Sequence, residues 1–493
     1  MPNEAINKLK PFFDKKERLS QLIAIINFDV ETCAPEQAIE QENELSSFYE
    51  AEYAAISKDP EFISLVKEAK ELGGLNEAET LLIDDLLYDI SIMEKIPIEK
   101  YIAWSQAESK CVEMWKKAKN VSDWNIVLPY FKKVVDNSRE LAELYHLPFH
   151  KTRYDGFLSL FEKGQTEEDV NTIFEPLKKF LIDNLDEVLN IQAEHPIPPL
   201  GIHSRDEQAH LSDDLLTAIN YDFTRGVIRE TEHPFTNDIA RKDVRVTTHY
   251  HEDDWRRSMY SVIHEGGHAI QFQNWPEYQF ENHVNGRASS ALCETHSRFY
   301  ENIIGRNRLF VPTLLKLCQK NLGKEFLNMD VEIFYQSVNQ VTRSLIRCDS
   351  DEYTYCLHII LRYELERDLI NGKLEVEDLP KAWNQKYKDY LGIVPPDDAN
   401  GVLQDTHWYG GAFGYFPSYA LGNIYGAQIL HYMKKDLPFD ELLSRGDLLP
   451  ILNWFKEKDF VYDYLDPKDW ILKVTGEEMN PQYFIDYLKE KFF

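Results

Sequence analysis

Residues 261–271 read Ser-Val-Ile-His-Glu-Gly-Gly-His-Ala-Ile-Gln, which puts His264 and His268 four apart with Glu265 beside the first. On a helix, residues four apart share a face, so both imidazoles can offer a nitrogen to one metal ion. Glu265 then flanks the ion rather than binding it. Metal-assisted hydrolysis of a peptide bond needs this set: neutral nitrogen ligands, and a carboxylate that takes a proton from water whose pKa the ion lowers toward about 7.

In a chain with 15 histidines the pattern also arises by accident, so its setting decides. Val262, Ile263, Ala269 and Ile270 can bury the helix, and buried imidazoles need partners. Gly266 and Gly267 each cost a helix interior roughly 1 kcal/mol relative to Ala, which makes sense if a substrate or a neighbouring backbone needs the room. Catalytic zinc usually takes three protein ligands and leaves one position for water. The metzincin pattern needs Gly at 271 and His at 274, where the chain has Gln271 and Asn274, so that class is excluded. Glu281, Glu294 and Glu301 are the downstream acids on helical segments, and spacing alone does not choose among them. A Ser pair at 289–290 can cap a helix that carries Glu294.

The elements that must position these groups are mostly helical. Residues 4–59 show helical spacing through Leu19, Leu22, Ile23 and Ile26, interrupted at residues 28–35 with Pro35 as the break. Helical segments follow at 75–92, 98–119 and 124–147, and Thr166 caps another. Residues 243–250 alternate with period two, predicting a strand of a small sheet just before the metal helix. His249 and His251 at its end read as a solvated loop. Helices over 355–370 and 379–391 end at Asn371-Gly372 and Gly392. Gly-rich and aromatic-rich loops at 401–419 hold Asp405, His407, Tyr415 and Tyr419 and read as site walls. The fold class expected is mainly α, with a small β-sheet beside the metal helix. One catalytic unit spans 1–493: a helical lobe over about 1–195, a sheet and metal-site region over about 196–305, and a helical region with site loops over about 306–493.

Composition narrows the partners. With 84 acidic against 54 basic residues the net charge is −30, which repels nucleic acid and anionic membranes. A site for a substrate carboxylate therefore needs its own arginine. The cysteines at 33, 111, 293, 318, 348 and 356 form no CxxC pair and read as reduced thiols. The first ten residues lack an apolar core, and no apolar run reaches the 18 residues of a membrane span, so a cytoplasmic location is expected.

Several ordered segments resemble the carboxypeptidase Taq family of zinc metallocarboxypeptidases: His233-Pro-Phe235, Asp243-Val-Arg-Val-Thr247, His264 to His268, the surroundings of Glu294, Ile346-Arg347 through Asp351, and Gly401 to Trp408. Phe28-Asp-Val-Glu-Thr32 is similar to that family's Trp-Asp-x-Glu-Thr segment. The resemblance implies a two-lobed helical fold with a deep substrate groove, commonly a homodimer, that releases single C-terminal amino acids from peptides with broad specificity. It makes Glu294 the third ligand of one Zn2+, for which Co2+ can substitute. Two departures stand out: Cys293-Glu-Thr-His296 replaces His-Glu-Ser-Gln, and Ser350 replaces Ala.

Within this reading Glu265 is the general base, and a fixed cation must pair with the free C-terminal carboxylate. Arg347 is the first choice and Arg245 the second, the alternative for each being an ion pair with a neighbour such as Asp349 or Asp243. His407 and Tyr419 are candidate oxyanion donors, His233 and Tyr415 candidate substrate contacts, and Asp405 a carboxylate that could orient a ligand imidazole. A zinc endopeptidase or oligopeptidase on the same site is the alternative. A non-catalytic zinc-stabilised peptide-binding protein fits less well, because a structural site needs no general base.

Overall fold

The computed structural model describes residues 4–195, 197 and 201–493. It is 71% helical and holds a three-stranded sheet, so the chain is mainly α. Four N-terminal helices, Glu4–Thr32, Ile39–Ser57, Pro60–Leu72 and Glu77–Lys95, gather around their own apolar cluster of Leu9, Phe13, Phe62, Val66, Ile83 and Ile90. The helices from Ile98–Val121 to Gln482–Phe492 share a second, larger core. Trp124–Leu144 shows why its neighbours join that core: Val127, Phe131, Val134, Val135 and Ala142 make one buried stripe at helical spacing. The separate core thus ends near Lys95. Of the expected boundary at 195/196, residue 196 lies outside the described residues.

The first helix differs from the expected interruption at residue 28. It runs on to Thr32, with Phe28 buried, and Cys33 N–H still donates to Asp29 O at 2.9 Å. The stop comes where Pro35 bars the residue before it from helical angles.

The sheet contains β1 (Ile228–Glu230), β2 (Thr236–Ala240) and β3 (Asp243–Thr248). β3 is central, parallel to β1 and antiparallel to β2, with Thr236 opposite Val246. Val244 and Val246 are fully buried on one face with Asp243 and Arg245 only partly covered between them, and the strand is buried on both faces at Thr247 and Thr248. The strand expected over 243–250 stops at Thr248, and β1 and β2 complete the sheet.

The sheet packs against the helix Trp255–Asn274, which carries both histidines and begins at Asp254, whose side chain accepts from Arg256 N–H. The helix Ser290–Arg298 carries Glu294 and is capped by Ser289, which accepts from Leu292 N–H at 3.2 Å. It continues into a π-helical stretch, Phe299–Ile304. Two glycines clasp it. A Cβ on Gly267 would fall 2.7 Å from Ser297 Cα, and one on Gly422, in the helix Phe416–Asp436, would fall 2.8 Å from Glu294 Cβ. Neighbouring backbone, not substrate, accounts for Gly267. Gly266 meets Ile219 and Leu216 side chains instead. All six cysteines are free, and no described helix is long and apolar enough to cross a membrane.

Candidate metal centre

His264 and His268 lie one turn apart with ring centroids 5.0 Å apart, and the helix Ser290–Arg298 brings Glu294 to them. One ligand atom from each of the three falls within 4.8 Å of the others. Glu294 Oε2 is 3.7 Å from His264 Nε2 and accepts from Ser297 Oγ at 3.0 Å. Glu281, by contrast, is exposed. Glu301 Oε2 lies 2.9 Å from His264 Nδ1, so the imidazole edge away from Glu294 is occupied and Nε2 is left for an ion.

The charge states suit a cation. Burial pushes the His268 ring down to about 3, so it stays neutral, and its Nδ1 is buried without a hydrogen-bond partner. Burial raises the Glu294 carboxyl, but His264, His268 and Arg298 outweigh burial and hold it below its ordinary value. Glu301 is held lower still, because Arg298, the His264 hydrogen bond and Arg306 overcome its burial. Two imidazole nitrogens and a carboxylate are a donor set that suits a zinc-class ion.

Glu265 is buried beside this cluster, and Thr236 Oγ1 on β2 lies 2.7 Å from its Oε2 and 2.8 Å from its backbone oxygen. Burial raises its carboxyl above the ordinary value, more than His264 and Thr236 lower it. A carboxylate with raised proton affinity, held by one hydroxyl donor, suits a proton acceptor.

The remaining sequence-derived residues fall into separate groups. Arg347 is buried, and its Nε and Nη2 donate to Asp405 Oδ1 at 3.1 and 3.0 Å. Its Nη1 lies 3.4 Å from Tyr355 Oη, and its guanidinium lies over the Tyr419 ring at 5.2 Å. Arg298 lies over the Tyr355 ring at 4.2 Å, so one tyrosine touches both the arginine beside Glu294 and Arg347. Arg245 pairs with Asp243 at 2.8 and 2.7 Å and lies over Phe28 at 4.9 Å. Asp349 pairs with Arg257 rather than Arg347.

His407 stacks on Tyr415 with centroids 5.7 Å apart and touches Phe416 at 4.7 Å. Burial pushes its ring down to about 4, so it is neutral at physiological pH. Tyr415 and Tyr419 rings are 5.0 Å apart. His233 is exposed at the bend before β2.

Asp405 does not sit where sequence reasoning put it. Its second oxygen accepts from Arg362 Nε at 2.7 Å, so two guanidiniums hold this half-buried carboxylate, and the acid that meets the His264 imidazole is Glu301. Sequence reasoning also missed Arg298, Thr236, Tyr355 and Arg362. The signal for the first was present: Glu294, Arg298 and Glu301 recur at i, i+4 and i+7, one face of a helix.

A mainly helical chain, with two histidines and a glutamate gathered on adjoining helices and an acid beside them, has the arrangement expected of a metallopeptidase. The sequence profile of the carboxypeptidase Taq (M32) metallopeptidases matches residues 8–492, and the chain belongs to that family. It is 37% identical to carboxypeptidase 1 of Bacillus subtilis over 98% of this chain and 97% of that one. It is 32% identical to thermostable carboxypeptidase 1 of Pyrococcus furiosus over 99% of each. Among solved structures it superposes on metallocarboxypeptidase 1 of Trypanosoma cruzi with a TM-score of 0.94 at 29% identity, covering 99% of each chain.

Proposed function

We propose that this metallocarboxypeptidase uses one zinc ion, held by His264, His268 and Glu294, to release single amino acids from peptide C-termini with broad specificity. The observation that carries the reading is the convergence of those three ligand atoms within 4.8 Å beside the buried Glu265. When bound, the ion supplies Lewis acidity toward water and the scissile carbonyl. Glu265 accepts the proton of the attacking water and returns it to the leaving amine, with Thr236 fixing its carboxylate. Arg347 binds the substrate's terminal carboxylate through Nη1, the nitrogen that Asp405 does not use. His407, neutral and flanked by aromatic rings, and Tyr419 supply polar contacts to the peptide.

Mass spectrometry of a peptide ladder, with and without chelator, tests direction, specificity and metal dependence together. Glu265→Gln is expected to keep the metal and lose most turnover. Near wild-type cleavage by that variant would end the assignment. Comparing a peptide acid with its C-terminal amide separates this activity from an endopeptidase, and Arg347→Ala should abolish the preference for the acid.

A further inference from the structure

The acid helix Ser290–Arg298 carries a second histidine. His296 stands two positions from Glu294, on the opposite side of the helix. It is fully buried, and its Nε2 lies 3.2 Å from Asp459 Oδ1. Asp463 completes the group, and one ligand atom from each of the three lies within 4.8 Å of the others. Asp459 is 0% and Asp463 1% exposed, and among the described residues no lysine or arginine pairs with either.

The hydrogen bonds around these acids are one-sided. Trp470 Nε1 donates to Asp459 Oδ1 at 3.1 Å, while Gln271 Nε2 and Trp275 Nε1 donate to Asp463 Oδ2 at 2.8 and 2.9 Å. Asp459 Oδ2 and Asp463 Oδ1 are buried with no partner, and so is Oε1 of Gln271, a fully buried side chain. Each carboxylate therefore has one oxygen held, Asp463's by Gln271 and Trp275 and Asp459's by Trp470 and the His296 ring, and the other left open, as in a carboxylate that ligates a metal. Among the described residues, the one cationic group these two buried carboxylates can share is the His296 ring, which leaves the group with net negative charge in the interior. A dication removes their net charge, and one imidazole with two carboxylates is a donor set for a first-row divalent metal.

We propose that His296, Asp459 and Asp463 hold a second divalent ion of the zinc class, with Gln271 Oε1 available to close the fourth position. With protein donors on every side, the site is structural and not hydrolytic. It joins three segments: the histidine helix through Gln271, the acid helix through His296, and the C-terminal residues 459–470. The ion would hold Glu294's helix against both neighbours.

The test counts ions in full-length protein saturated with zinc and desalted, by inductively coupled plasma mass spectrometry, and follows melting with and without zinc. Wild type is expected to retain two ions. The double variant His264→Ala/His268→Ala should retain one and still show a zinc-dependent rise in Tm. Adding Asp463→Asn should remove both the ion and the rise. Crystals of the zinc-loaded wild type, which need no variant to fold, should give an anomalous peak at His296. An ion-free double variant with zinc-independent melting, or no such peak, overturns the proposal and leaves shared protons to satisfy the acids. Retention of the same single ion by wild type and double variant would instead sink the catalytic assignment and leave this one standing.

Discussion

Glu301 Oε2 lies 2.9 Å from His264 Nδ1, and the same oxygen accepts from Arg298 Nη1 at 2.9 Å. The acid therefore fixes the His264 ring and anchors the arginine next to Glu294. Glu301→Gln keeps the size of the side chain and removes its charge. Metal affinity is expected to fall about 10–100-fold, read by competition with a chromophoric chelator.

Gly422→Ala sets two effects against each other. Helix propensity favours Ala by about 1 kcal/mol. The added Cβ, however, would lie 2.8 Å from Glu294 Cβ and 2.9 Å from its carbonyl carbon. Overpacking against backbone costs about 1–3 kcal/mol, so the variant should be less stable to urea and should bind metal more weakly. A stabilised variant with unchanged metal affinity would show that the acid helix is free to shift.

Asp405 gives a pH-dependent stability with a definite sign. Burial alone would raise its carboxyl, but Arg362 and Arg347 hold it well below the ordinary value. The unfolded group titrates near about 3.9. The stabilisation is thus fully present above about pH 4 and is lost as pH falls toward the depressed folded value. Asp405→Asn leaves two buried guanidiniums underpaired and should cost about 3 kcal/mol at neutral pH. The gap between variant and wild type should close on acidification, in denaturant titrations at several pH values.

Thr236→Val removes the hydroxyl donor to Glu265. Without it the carboxyl rises further above its ordinary value, so the acid limb of the pH–rate profile should move to higher pH. At pH above that limb, turnover should recover and the metal content should match wild type.

The histidine pair was legible because a four-residue spacing maps onto one helix turn without tertiary information. Choosing Glu294 over Glu301 was not, since both lie on one continuous helical face and the π-helical stretch Phe299–Ile304 decides where Glu301 points. The strand from Asp243 stood out through its buried valines. β1 and β2 did not: three and five residues long, with at most one fully buried position, they carry almost no periodic signal. Asp405 was misplaced for a related reason. Its partners Arg347 and Arg362 lie 58 and 43 positions away, and nothing local marks them as nearer than an imidazole.

The clasp at Gly267 and Gly422 makes the dimensions of the His264, His268 and Glu294 group a matter of main-chain contact. Apolar substitutions elsewhere on these helices can change the volume of the interior while the separation between the imidazole pair and the glutamate stays put. Two hydrogen atoms, standing where any other amino acid carries carbon, act as the gauge blocks of the site.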